Sequence, residues 1–251
     1  MTSTAYFVKL LGMSKDTVTG NYLLEITRLL ARIAEEERAG LAAASDAVAD
    51  VICRDGIIYT FGCGHSHLPC LDIFYRAGGL ACTSPMLDDD LMLHNGAAKS
   101  SRMEKMRGIA SELFRRYAPT PNDIVFVISA SGKNAAPVEM CECAKAAGVK
   151  LVTVSSSAYI AHGARLLELG DIAIDCKVPH GDAVIDVGDA KMGGLSTYAS
   201  LFILNSILIE GAQKALERGT VPPIYASGNV EGGTERNVAL EKRFFGRVKN
   251  L

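Results

Sequence analysis

No two of the seven cysteines stand in a CxxC pair. The count is odd, and Cys53, Cys82 and Cys176 lie in or beside apolar runs, so a disulfide framework is excluded and a reducing, cytoplasmic setting is expected. Cys141 and Cys143 stand two apart in a predicted helix, face different sides and cannot chelate one ion together. No long basic run is present and the formal net charge is −2, which argues against a broad nucleic-acid footprint. No uncharged apolar run reaches about 18 residues, so no membrane partner is expected. The opening stretch AYFVKLLGM is broken by Lys9 and has no basic region before it, so no signal peptide is read there. Repeats, low-complexity runs and linkers are also lacking. One domain over 1–251 is therefore expected, with its core at about 40–215.

What is present suffices for a full core: 251 residues, 49% of them apolar. Residues 1–20 give no clear pattern. From 21 to 54, Leu23, Ile26, Leu30, Ile33, Leu41, Ala44, Val48 and Val51 recur at helical spacing. This predicts an N-terminal helical layer, with Gly40 a break and Gly56 the stop. Short, near-continuously apolar runs follow at 57–61, 80–84, 123–129, 150–155 and 171–176, as expected of strands buried on both faces. Helical stretches near 67–77, 101–117, 135–147, 159–168 and 196–217 alternate with them. The alternation predicts an α/β fold around a five-stranded parallel sheet with right-handed crossovers. The tail 218–251 reads as loop.

Ligands of open parallel sheets bind outside the carboxyl ends of the strands, so the loops there carry the chemistry. The first is Gly62-Cys63-Gly64-His65-Ser66-His67. It lacks the third glycine of a dinucleotide fingerprint, since His67 stands in its place. The third strand ends in Ser129-Ala130-Ser131-Gly132-Lys133-Asn134, with Pro137 opening the next helix and Gly148 closing it. Hydroxyls, backbone N–H groups and a positive helix end converge there, which suits phosphate; a plain serine-rich capping loop is the alternative. The loop is not a Walker frame. Ser155, Ser156 and Ser157 come from the fourth strand to the same rim, and several hydroxyl-bearing loops at one edge suit a polyol phosphate.

These stretches resemble the SIS (sugar isomerase) domain family over roughly 40–215. The likeness rests on GCGHSH (62–67), SASGKNAAPVEM (129–140) and the serine-rich fourth tip, and is greatest to a little-characterised phosphosugar-binding branch through FYRAGG (74–79), GDA (181–183) and SGNVEGG (227–233). Phosphoheptose isomerase is a more distant relative. The resemblance implies a flavodoxin-like fold, a sugar-phosphate ligand and a homodimer or homotetramer with sites at subunit interfaces. It implies Ser129, Ser131 and Asn134, with Gly132, as phosphate ligands, and Ser66, with Gly64, as a sugar-phosphate contact. It also implies that the start of the last helix faces the ligand.

Aldose–ketose isomerisation needs a base to move a proton between C1 and C2, and His or Glu can serve. The candidates in order are His65, His67, Glu210 and His94. Glu210 is placed on the inner stripe of the last helix, among apolar neighbours. Glu139 and His180 are weaker candidates. No cofactor is expected; zinc on Cys63, His65 and His67 is the alternative. Besides an isomerase, two readings stay open: a phosphosugar sensor or assembly protein without turnover, and a sugar-phosphate lyase or etherase.

Overall fold

A computed structural model describes residues 17–251. Most of the stretch read as unpatterned, 1–20, lies outside the described residues. The chain opens with α1 (Val18–Glu36) and α2 (Arg38–Cys53) and then enters β1 (Ile58–Gly62). The order continues α3 (His67–Asp72), β2 (Thr83–Pro85), α4 (Ala97–Met103), α5 (Ile109–Tyr117), β3 (Ile124–Ile128), α6 (Ala135–Ala146), β4 (Lys150–Ser155), α7 (Leu166–Leu169) and β5 (Ile172–Asp175). A hairpin, β6 (Ala183–Val187) and β7 (Ala190–Gly194), leads into α8 (Ser196–Glu217), and α9 (Gly233–Phe244) closes the chain.

The five expected strands form one parallel sheet in the order β2-β1-β3-β4-β5. All five residues of β1 and all five of β3 are buried, which explains their near-continuous apolar runs, broken in β1 by Thr60. Burying one such Val or Ile side chain contributes about 1.5–3 kcal/mol. α2 packs against α8, and α5 against α6. The β1–β3 pairing is fixed at its start by Asp123, whose carboxylate accepts from Ile57 N at 2.7 Å and from Thr120 N at 2.7 Å.

Several boundaries differ from the sequence reading. The α1–α2 break falls at Glu37, not Gly40, because the Glu37 carboxylate is tied to Lys177 at 2.6 Å and to Asp175 N at 3.2 Å. Gly40 lies within α2, facing β5, where a Cβ would stand 3.4 Å from Ala173 O, an ordinary contact. The single helix expected at 101–117 is two, because Glu139 reaches across and accepts from Gly108 N at 2.8 Å and Ala110 N at 3.2 Å, capping α5. The stretch 183–194, to which the sequence reading assigns no strand, is the hairpin. The tail is also more than loop. Arg243 and Arg247 on and after α9 reach Asp55 at 2.7 and 2.9 Å, and Asn250 donates to Pro85 O at 2.8 Å.

Candidate functional site

β1 leaves the sheet at Gly62. A Cβ there would lie 2.2 Å from Ser66 O, so only glycine lets the next turn fold back so closely. Ser66 N donates to Cys63 O at 3.0 Å, and residues 64–66 make a single 3-10 turn that hands over to α3. His67 is turned inward and is 2% exposed, and its Nδ1 is hydrogen-bonded to Gly64 O. A carbonyl only accepts, so Nδ1 carries the proton and Nε2 keeps a lone pair in the neutral ring. Burial holds the His67 pKa below its ordinary value; the Gly64 bond opposes this, and neighbouring His94 and His65 add to it. His65 and His94 are exposed, and the His94 ring stands 6.1 Å from that of His67. Ser66 and Gly64 are half-buried on the same turn.

Residues 129–134 leave β3 beside this turn. Ser129 N still pairs with Val154 O at 3.0 Å, and Ser129 Oγ accepts from Gly132 N at 3.2 Å. Gly132 has φ +59, and a Cβ would meet Ser155 Oγ at 2.4 Å, so the loop curls closely over the tip of β4. The backbone amides of Ser131, Lys133 and Asn134 and the Ser131 hydroxyl make no hydrogen bond among the described residues. They lie at the positive end of α6, a helix of 12 residues. Asn134 occupies the cap position of α6 without a side-chain capping bond.

A residue that no motif marked completes the site. Glu104, just past α4, has the Asn134 side chain for a neighbour, and its carbonyl accepts from Ala136 N at 3.0 Å. Burial raises its pKa above the ordinary carboxyl value, and the nearby Asn134 amide only partly offsets this. Glu104 is also near enough to help raise the Cys63 thiol, whose burial is the larger cause. The half-buried carboxyl thus stands between the histidine turn and the 129–134 loop.

Other expected residues are placed elsewhere or engaged otherwise. Ser155 and Ser156 are fully buried: Ser155 Oγ donates to Ala130 O at 3.4 Å and Ser156 Oγ to Val178 O at 2.5 Å. The Ser155 hydroxyl braces the 129–134 loop and that of Ser156 the stretch after β5, and neither faces outward. Glu210 is not inward-facing; it is exposed and paired with Lys214 at 2.9 Å, about 21 Å along α8 from Ser196. Glu139 is buried as the α5 cap. His180 stacks on His162 with centroids 4.0 Å apart and lies 4.8 Å from the Tyr159 ring, at the tips of β4 and β5. The start of α8 is filled by the protein itself: the Asp182 carboxylate accepts from Leu195 N at 2.8 Å, Ser196 N at 2.8 Å and Ser196 Oγ at 2.7 Å. Among the described residues no group of three His, Cys, Asp or Glu converges as metal ligands would. An apolar groove of about 400 Å³ lies away from the rim, between Ile73, Leu80, Leu208, Ala212, Pro222 and Ile224. It carries no acid–base pair, so the rim and not the groove holds the candidate chemistry.

The pattern that defines the SIS domain matches residues 21–156, more than half of the chain, and the chain belongs to the SIS domain family. At closer range it is similar to a UPF0309 protein of Thermoanaerobacter pseudethanolicus, with 35% identity over 243 residues covering 92% of this chain and 98% of that one. A UPF0309 protein of Listeria innocua is 37% identical over 240 residues, covering 92% and 97%. Among solved structures, Vibrio vulnificus NanR complexed with ManNAc-6P aligns at TM-score 0.54 and 14% identity, covering 97% of this chain and 75% of that one. Phosphoheptose isomerase from Neisseria gonorrhoeae aligns at TM-score 0.52 and 14% identity, covering 76% and 96%. These likenesses establish the five-stranded SIS fold.

Proposed function

We propose that this chain binds a sugar phosphate at residues 129–134 and interconverts its aldose and ketose forms. The observation that carries the reading is the pairing of two groups of opposite tuning at one rim. Glu104 is a carboxyl whose pKa burial raises, and His67 is an imidazole whose pKa burial lowers, with Nε2 free. Isomerisation through an enediol needs such a pair. One group takes the C2 proton and returns it at C1, while the other moves a proton between the two oxygens, with no net oxidation. Phosphate on the free amides and the Ser131 hydroxyl would hold the sugar while these transfers occur. Ser129, Gly132 and Asn134 shape that loop, and Ser66, Gly64, His65 and His94 border the space in front of it.

Binding without turnover is the second reading. It is favoured by the likeness to NanR, which is complexed with a sugar phosphate. One experiment separates the two. Sugar phosphates are screened by thermal shift, and each hit is followed by proton NMR in deuterated water. An isomerase exchanges the C1 or C2 proton, and Glu104→Gln is expected to slow that exchange by about 10²–10⁴-fold while leaving affinity within a few-fold. Ser131→Ala is expected to weaken binding about 10- to 100-fold, one charge-assisted hydrogen bond's worth. Hits that bind but never exchange leave the sensor reading. A screen in which no sugar phosphate raises the melting temperature sinks both.

A further inference from the structure

The 129–134 loop and the histidine turn lie at the carboxyl edge of the sheet. At the opposite edge, where α6 ends and β4 begins, a cavity of about 330 Å³ is lined by Arg54, Lys145, Gly148, Lys150 and Asp171, among others. That volume lies in the range of small-ligand sites. Arg54 Nε donates to Asn122 O at 2.8 Å, which fixes the guanidinium and leaves its terminal nitrogens uncommitted. Lys145 and Lys150 make no ion pair among the described residues. The Asp171 carboxylate is occupied by Leu151 N at 2.9 Å.

Three cations against one carboxylate leave two positive charges in the cavity. Arg54 caps the end of α2 and Lys145 lies in the last turn of α6, so these helix ends also contribute. Each brings about half a negative charge, which leaves a balance of about +1. The cations therefore exceed what capping needs, and a concave surface concentrates their field. The chain is acidic overall and these charges are confined to one recess, so the fit is to a small anion and not to a polyanion lying across a surface. Three side chains able to donate from different elements suit a tetrahedral oxyanion better than a planar carboxylate.

We propose that this cavity is a second anion site, taking one phosphate group either as inorganic phosphate or as a simple monoester. It is distinct from the loop at 129–134. α6 starts at that loop and ends in this cavity, and its 12 residues put the two about 18 Å apart.

Residue-resolved NMR of the labelled protein tests this directly. Inorganic phosphate is titrated at low ionic strength, with chloride at matched ionic strength as control and glycerol phosphate as the monoester arm. Saturable shifts are expected at the amides of Gly148, Val149 and Lys150, separate from any at 131–134. Replacing all three cations (Arg54→Gln, Lys145→Gln, Lys150→Gln) is expected to weaken the first set by at least about tenfold and spare the second. Ser131→Ala is expected to do the reverse. All three cations are exposed, so the variant is expected to fold, and its spectrum reports whether it does. The tighter of the two phosphate arms identifies the ligand form. The proposal is overturned if amides 148–150 do not move, if they move equally with chloride, if they move unchanged in the triple variant, or if a short RNA displaces phosphate from them.

Discussion

His67 is buried by its own loop, and its pKa change has a definite sign. The folded state holds the ring neutral below the ordinary value of 6.5, so the unfolded chain binds the proton more readily. The stability tied to neutral His67 is complete above that value and is lost as pH falls through it toward the depressed folded pKa. Chemical denaturation at pH 7.5 and 5.5 is expected to show a loss in the wild type that is smaller in His67→Gln. Glu104 has the opposite sign. Its raised pKa favours folding below the ordinary carboxyl range, and that contribution is lost as pH rises through the folded value. Glu104→Gln is therefore expected to melt higher than wild type at pH 7, even as proton exchange is lost. An equal melting temperature for the two would count against a buried carboxyl at the rim. The histidine turn and Ser131 were legible in the sequence because glycine spacing and a strand end announce them. Glu104 was not, because it reaches the rim only through the break between α4 and α5, which a buried glutamate 31 residues downstream enforces. Ser155, Ser156 and Glu210 misled for another reason: a hydroxyl or carboxyl has no visible direction until its neighbours are known.

Among the elements, the curl of 129–134 over β4 is the most exacting. A Cβ at Gly132 would be strained by φ and would collide with Ser155 Oγ, which itself braces Ala130. Gly132→Ala is expected to reduce phosphosugar affinity by more than tenfold and to lower stability by about 1–3 kcal/mol, read by calorimetry and denaturant midpoint. Unchanged affinity would show that the loop does not need this shape. The parallel strands could be read from sequence because both-face burial leaves an apolar signature, unbroken in β3 and interrupted by Thr60 in β1. The hairpin β6–β7 could not be read so easily: its alternation spans only ten residues, five in each strand, and is diluted by glycine. α9 was missed because it buries only Gly233 and Phe244, and so shows almost no apolar stripe.

At the scale of the whole molecule, the apolar groove lies beside large side chains left in solvent. Ile209 is 67% exposed, Leu216 56% and Val221 71%. A second copy of the chain is the expected occupant of such an exposed apolar surface. Light scattering at micromolar concentration is expected to give a dimer or tetramer, and Ile209→Asp is expected to shift it toward monomer. A wild-type monomer under those conditions would contradict the interface.

The buried thiols have a practical consequence. Cys70, Cys82, Cys141 and Cys176 are pushed by burial up to about 12, and Cys63 is raised too. At pH 7.5 only about one in 10⁴ or fewer of these is the nucleophilic thiolate. Cys143 is half-buried, and Cys53 is exposed. Cys53 is therefore a natural attachment point for a fluorophore, without engineering a new cysteine or removing the others. It adjoins Arg54, which lines the distal cavity, so a dye there is a reporter with which to look for the phosphate binding proposed at that cavity.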